Sequence, residues 1–172
     1  MLMTRRTLVR TGGLAAIAGG LLRMAASFAP VAIESARARE LLYLVIDGCL
    51  TVGLVGFYAP RAKRLGWPGA AGLALALVGI AIVRANRAIS TVDLYPAGAL
   101  AIACGVIVVT ARAWVAHTLA GWVPVAFVIA TLVGLVGNVA PAGNALFVGS
   151  GVIFGLAFAS LGVAVWMSRG SA

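Results

Sequence analysis

The sequence predicts an all-α membrane protein, a polytopic bundle of about six transmembrane helices with little chain outside the bilayer. Of its 172 residues, 63% are hydrophobic and only 10% are charged, and the mean hydropathy is +1.11. Soluble domains carry about 45–50% apolar and roughly 25% charged residues, so this chain has too few polar side chains to cover a water-soluble fold. Its apolar residues are also grouped into runs near the length of about 20 residues that a spanning helix needs.

Six apolar runs are separated by short connections, so residues 1–172 are predicted to form a single integral membrane domain. The predicted spans are Gly12–Ile33, Leu41–Ala59, Trp67–Val83, Leu94–Ala111, Leu119–Val139 and Asn144–Met167. Outer-membrane strands alternate apolar and polar residues over about ten positions, whereas these runs are apolar on every side. The pairs Leu42-Tyr43, Leu94-Tyr95 and Leu146-Phe147 recur at 52-residue intervals. Two explanations of these recurring pairs are open: three related helical hairpins, or chance matching in a Leu-rich chain.

Two interpretations of the first apolar run stay open. Thr4–Arg10 reads TRRTLVR, which is similar to the start of a twin-arginine export signal, and Ala36-Arg37-Ala38 fits an A-x-A cleavage site. The other interpretation is a retained first helix with positive residues on its cytoplasmic flank. We favour the retained helix for two reasons. Arg23 interrupts the apolar run, and such signals precede folded exported domains, whereas further apolar runs follow this one.

The distribution of Lys and Arg predicts that both termini face the cytoplasm, where membrane proteins concentrate their cationic loops. Eight of these residues fall on the side of the termini and four on the other side. The eight are Arg5, Arg6, Arg10, Arg61, Lys63, Arg64, Arg112 and Arg169, and the four are Arg37, Arg39, Arg84 and Arg87. The predicted location is the bacterial cytoplasmic (inner) membrane. The net charge of +9 is scattered between apolar runs, which predicts contact with the lipid bilayer and not with nucleic acid.

The first helical hairpin carries the candidate intramembrane polar site. Arg23 and Asp47 lie within spans one and two, where a charged side chain is costly and usually faces a bundle interior or a cavity. Tyr43, Asp47 and Thr51 follow i, i+4 spacing and therefore share one helix face. Two interpretations are open: a structural role, with Arg23 pairing with Asp47 or reaching a membrane face, and a lining for a cavity or an ion path.

The last span carries a candidate helix-packing face, formed by Gly151, Gly155 and Ala159 in a small-x-x-x-small series. Small residues let helix backbones approach closely, either inside the bundle or against a partner helix or a second copy of the chain. Catalytic, cofactor-binding and metal-binding residues are not predicted. The cysteines Cys49 and Cys104 form no C-x-x-C pair, and the single His117 leaves too few ligands for a metal site.

Two functions are compatible with these observations. The first is an accessory or assembly partner of other membrane components, because the chain has abundant small-residue faces and no catalytic cluster. The alternative is a transporter or channel for protons or a small solute that uses Asp47 and Arg23, since intramembrane ionisable groups are functional candidates. An enzyme is not predicted, because the chain contains four acidic residues and one histidine without a constellation for acid–base chemistry.

Overall fold

The computed structural model describes residues 5–28, 33–86, 93–140 and 143–167, and these ranges contain helices and no β-strand. The helices are α1 (Arg5–Ala26), α2 (Ala36–Tyr58), α3 (Ala62–Ala85), α4 (Tyr95–Val115), α5 (Trp122–Gly137) and α6 (Gly143–Met167). A 3₁₀ turn over Ala59–Arg61 joins α2 directly to α3, so the described chain forms five helical stretches. The predicted all-α fold is confirmed. Arg87 and Arg169, which entered the charge count, lie outside the described residues.

Three of the five stretches are long and apolar enough to cross a membrane, which fits the predicted membrane location. They are Ala36–Ala85, Tyr95–Val115 and Gly143–Met167. Helix α5 is apolar but has only 16 residues, or about 24 Å at the usual rise per residue. Helix α1 has 22 residues but is less apolar than these three stretches and is not among them. The number of six spans therefore stays a prediction.

The 50-residue stretch Ala36–Ala85 is a helical hairpin, because the chain reverses its direction near Gly66. This glycine has a φ of 62° and a ψ of −163°, a conformation that glycine adopts readily and other residues rarely. Asp47 lies 19 residues before Gly66 and Arg84 lies 18 residues after it, and their side chains form an ion pair. Helices α2 and α3 are therefore antiparallel.

The six helices form a closed ring in which each contacts its neighbours along the chain, and α6 returns to contact α1. Packing around this ring is uneven. Helices α3 and α4 approach closely through Gly72, Gly79 and Gly105, and α1 approaches α6 through Gly20 and Gly155. Helices α2 and α3 share far fewer contacts, and so do α4 and α5. The ring thus divides into a two-helix unit, α3–α4, and a four-helix unit, α5–α6–α1–α2.

Helix ends differ from the predicted span ends most clearly at α1 and α2. Helix α1 begins at Arg5 and ends at Ala26, whereas the predicted span is Gly12–Ile33, of which residues 29–32 lie outside the described ranges. Arginine is a good helix former, so a helix extends beyond the apolar run that hydropathy detects. Helix α2 begins at Ala36, because the Ser35 hydroxyl accepts a hydrogen bond from the Ala38 amide at 3.3 Å.

The bundle is solidly packed at the end where α2 passes into α3. Phe57, Phe127 and Phe158 are fully buried there. The Phe127 and Phe158 rings pack edge to face with centroids 6.5 Å apart. The Arg61 side chain lies over this end, donating a 3.1 Å hydrogen bond to the Phe57 carbonyl with its guanidinium 4.6 Å from the Phe57 ring centroid. An apolar core therefore closes one end of the ring.

Candidate functional site: a polar cavity at the open end of the bundle

A cavity of about 430 Å³ lies inside the ring at the end opposite the phenylalanine core. Every one of the six helices contributes to its wall. One polar lining residue from each helix in turn is Arg23, Asp47, Arg84, Tyr95, Thr131 and Ser150. Phe154 lines the cavity and packs against Phe127 with ring centroids 5.0 Å apart, so the apolar core forms the cavity floor.

The face of α2 that lines the cavity consists of Tyr43, Ile46, Asp47 and Leu50. Thr51, the third member of the predicted polar face, is half-buried but does not line the cavity. The reason is helical geometry: at about 3.6 residues per turn, each i+4 step advances about 40° around the helix beyond a full turn. After two such steps Thr51 has rotated away from the direction in which Tyr43 points, whereas Ile46 and Leu50 complete the lining.

Asp47 forms its ion pair with Arg84 on α3. Both Nε and Nη2 of Arg84 contact the same carboxylate oxygen, Oδ2. The two side chains are 16% and 25% exposed, so the pair is largely buried but reachable from the cavity. The structure thus gives Asp47 a partner across the α2–α3 seam, Arg84, where the sequence suggests Arg23. The sequence places Arg84 in an outer loop, because the apolar run ends at Val83. However, Arg84 and Asp47 are almost equally many residues from Gly66, which indicates that they lie at the same depth.

Arg23 reaches the cavity from α1, close to the surface of α6. Its Nη1 atom lies 3.4 Å from the position that a Cβ atom on Gly151 would occupy, an ordinary van der Waals distance, so the guanidinium lies beside Gly151. The atom with which such a Cβ would clash is the Ser27 hydroxyl oxygen. Ser27, one turn further along α1, donates a 3.1 Å hydrogen bond to the Arg23 carbonyl. Within the described ranges no carboxylate, carbonyl or hydroxyl accepts a hydrogen bond from the Arg23 guanidinium.

Other polar lining residues direct their donors into the helix backbones. Ser150 on α6 donates to the Ala130 carbonyl on α5 at 2.8 Å, which joins these two helices beside the cavity. Thr131 donates to the Phe127 carbonyl at 2.8 Å, and the Asn138 amide donates to the Gly134 carbonyl at 3.0 Å. The two hydroxyl protons and one of the two Asn138 amide protons are therefore already used in hydrogen bonds to the backbone.

The rim of the cavity between α3 and α4 is fixed by a short polar network. The Asn86 amide donates to Asp93 Oδ1 at 3.0 Å, and the Asn86 oxygen accepts a hydrogen bond of 2.6 Å from the Leu94 amide. The Tyr95 amide donates to the same Asp93 oxygen at 3.0 Å. These bonds tie the end of α3 to the beginning of α4, so the two helices are held together at the rim as well as along their glycine faces.

Arg84 is also reachable from outside the ring. A surface groove of about 280 Å³ beside the α2–α3 seam is lined by Arg37, Glu40, Leu41, Leu44 and Arg84. The Asp47–Arg84 pair therefore lies in the wall that separates this groove from the central cavity. Because the two helices touch along few other residues, this pair is a main contact holding the seam closed.

The predicted packing face on α6 contacts α1 of the same chain. A Cβ atom on Gly155 would lie 2.5 Å from the Gly20 carbonyl oxygen, and Gly151 faces Ser27 and Arg23. The Ala159 backbone lies against Gly20. This face is thus covered inside the bundle and is not open to a partner helix.

The three aromatic residues of the possible repeat lie around one cavity. Tyr43, Tyr95 and Phe147 all line it, from α2, α4 and α6 respectively. The ring is nevertheless irregular, because α6 packs tightly on α1 whereas the other two junctions between successive hairpins are loose. A threefold repeat of hairpins therefore stays a prediction.

In the described part of the chain, no three His, Cys, Asp or Glu side chains come together in a way that could hold a metal ion. Cys49 is half-buried and Cys104 is exposed, both as free thiols. Comparisons with protein-family models, curated proteins and solved structures find no match to this chain.

Proposed function

We propose that this protein is a small-solute transporter of the bacterial inner membrane, with six spans and both termini in the cytoplasm. The observation that carries the proposal is the central cavity, which takes lining residues from all six helices and contains Arg23 and the Asp47–Arg84 pair. Its volume of about 430 Å³ lies in the range of roughly 300–1,000 Å³ typical of small-molecule sites. A structural bundle gains nothing from a polar cavity at its centre, since burying charged groups there is costly.

Several features support six spans. The hairpin α2–α3 consists of α2, with 23 residues, and the part of α3 that follows Gly66, residues 67–85, and both are close to the roughly 20 residues that a crossing needs. Helix α1 packs closely on both α2 and α6, and its Arg23 lines the cavity, which supports a retained helix over a cleaved signal. Helix α5 packs between α4 and α6 in the ring, although it is shorter than the others.

The shape of the ring supports transport by alternating access, in which one unit rocks against another around a central site. The cavity is open at one end and closed at the other by Phe57, Phe127 and Phe158. The charge distribution predicts that the open end faces outward. The loosely packed seams between α2 and α3 and between α4 and α5 are the boundaries along which α3–α4 would move.

Topology is tested by reporter fusions. A reporter that is active only in the periplasm is expected to be inactive when fused after Ala172, and active when fused after Ala140, between α5 and α6. The fusion after Ala140 is the matched control, because it differs by one helix and should therefore lie on the other side. Strong periplasmic activity of the fusion after Ala172 would contradict the orientation.

Transport is tested in proteoliposomes with solutes that cross lipid slowly, namely benzenesulfonate, mannitol and choline. Uptake of at least one above protein-free liposomes is expected. Asp47→Asn should lower that uptake by about tenfold or more, since breaking the charged pair removes a contact of roughly 1.5–3 kcal/mol. Lys63→Gln, an exposed charge at the closed end, is the control and should leave uptake unchanged. Equal uptake by wild type and Asp47→Asn would reject this site, and no uptake of any solute would reject transport.

The accessory role remains a second prediction with weaker support. It depends on small-residue faces, and several of those faces are occupied within the bundle between α1 and α6 and between α3 and α4. Native mass measurement after extraction in mild detergent tests it. A monomer without bound proteins would count against an accessory role.

A further inference from the structure

The described ionisable residues that line the cavity carry an excess of positive charge. Leaving the tyrosines aside, these residues are Arg23, Asp47 and Arg84. The Asp47 carboxylate is paired with Arg84, so these two charges compensate each other. Arg23 has no such counterpart among the described residues, and its guanidinium carries five N–H donors. A positive group inside a membrane bundle is costly without an anion, which makes Arg23 the strongest attraction that the cavity offers to a ligand.

The hydrogen-bonding groups of the cavity also favour an acceptor as ligand. Ser150, Thr131 and Asn138 already donate to backbone carbonyls. The hydroxyls of Tyr43 and Tyr95 have no hydrogen-bond partner among the described residues, and both side chains line the cavity. Among the described lining residues, the side chains that donate no hydrogen bond therefore include the Arg23 guanidinium and the two phenols. A ligand that brings oxygen acceptors and a negative charge matches them.

The rest of the wall indicates what the remainder of the ligand is like. Ile46, Leu50 and Ile102 line the cavity from α2 and α4, and the Phe154 ring belongs to its floor. Inorganic anions are strongly hydrated and gain nothing from apolar walls, whereas a small organic anion can place its charge on Arg23 and its hydrocarbon part on these residues.

We infer that the cavity is a binding site for a small organic monoanion, a carboxylate or a sulfonate with an apolar body, and that Arg23 binds its charged group. This inference names the substrate class of the transporter proposed above and rests on that proposal. Gly151 on α6 lies beside the Arg23 guanidinium, where its missing side chain leaves space for the Ser27 hydroxyl. The Asp47–Arg84 pair then serves to neutralise the second arginine, so that the described lining residues other than the tyrosines carry one net positive charge.

Binding to the full-length protein in detergent tests the inference, using probes of similar shape and different charge. Benzoate, benzamide and benzamidinium carry charges of −1, 0 and +1, and isovalerate with isovaleramide forms a second pair. Calorimetry is expected to detect benzoate and isovalerate, with each amide at least about tenfold weaker, the scale of one charge-assisted hydrogen bond. Benzamidinium should not bind.

Variants at Arg23 separate charge recognition from folding. Arg23→Gln should weaken benzoate binding by about tenfold or more and remove the preference for the acid over the amide. Arg23→Lys keeps the charge and should retain part of that preference. Lys63→Gln, at the closed end, should bind benzoate as wild type does. If Arg23→Gln fails to fold, two other measurements test the site. They are the loss of benzoate affinity in Arg23→Lys and the ratio of benzoate to benzamide affinity in the wild type.

The outcomes distinguish this inference from the proposed function. If the amides or benzamidinium bind as tightly as the acids, or if no probe binds, the anion site is wrong, and solute uptake in proteoliposomes still decides whether the protein transports. If benzoate binding depends on Arg23 but no solute is taken up, the anion site stands and the transport proposal fails.

Discussion

Asp47→Asn is expected to lower the free energy of unfolding by about 1.5–3 kcal/mol, since it removes the charged partner of a largely buried arginine. The Arg84 guanidinium would remain at the α2–α3 seam, where few other contacts hold the two helices together. Arg84→Gln should have a similar effect, because it leaves the Asp47 carboxylate without its cation. The measurement is unfolding in mixed detergent micelles.

The double variant Asp47→Asn/Arg84→Gln isolates the pair. If the two side chains stabilise the fold through each other, the double variant should lose less stability than the two single losses combined, with a coupling of about 1–3 kcal/mol. Lys63→Gln is the control for loss of a charge and should change stability by less than about 0.5 kcal/mol. Strictly additive losses would show that the pair does not hold the seam.

The helices themselves could be predicted from the sequence because each apolar run is bounded by polar or turn-forming residues. Their ends were less accurate, since hydropathy marks where the apolar run stops, whereas a helix continues until its backbone is capped. Ser35, whose hydroxyl caps α2 six residues before the predicted span begins at Leu41, illustrates this difference. The reversal at Gly66 lies next to the start of the predicted third span. Hydrophobic periodicity gives no signal for this reversal, but the Gly-Trp-Pro sequence that begins there does.

The depth of the site residues was predictable, but their partners were not. Arg23 and Asp47 each lie 12 residues from Ser35, which is why a pairing between them was reasonable. Depth follows from the number of residues to the nearest turn, whereas direction around the helix follows from which faces pack. Glycine faces bring α1 against α2 and α6, and Arg23 then lies beside Gly151 on α6. Asp47 forms its ion pair with Arg84 on α3.

The series Gly151, Gly155 and Ala159 could be predicted as a packing face, but its partner could not be chosen. Glycines at helical spacing occur on all six helices, so each of the others offers a matching surface. Only the arrangement of the ring selects α1 for α6. The close approach of Gly151 to Ser27 and Arg23 also depends on that arrangement.

Gly155→Val is expected to be among the most damaging substitutions in the chain, with a loss of about 3 kcal/mol or more in the free energy of unfolding. A Cβ atom there would lie 2.5 Å from both the Gly20 carbonyl oxygen and the Met24 Cγ atom, and 3.0 Å from the Met24 backbone nitrogen. Backbone atoms cannot move aside as a flexible side chain can, so α1 and α6 would have to separate. Thermal unfolding in detergent measures the loss.

Gly149→Val is the matched control on the same helix, because a Cβ atom at Gly149 meets no atom within 4 Å. Both substitutions place a β-branched residue in α6, so any difference between them reports contact with α1 and not helix propensity. Separation of α1 from α6 also moves Arg23, whose guanidinium lies beside Gly151. Gly155→Val should therefore weaken benzoate binding in whatever fraction remains folded, whereas Gly149→Val should not. Equal stability of the two variants would mean that α1 and α6 do not pack through this face.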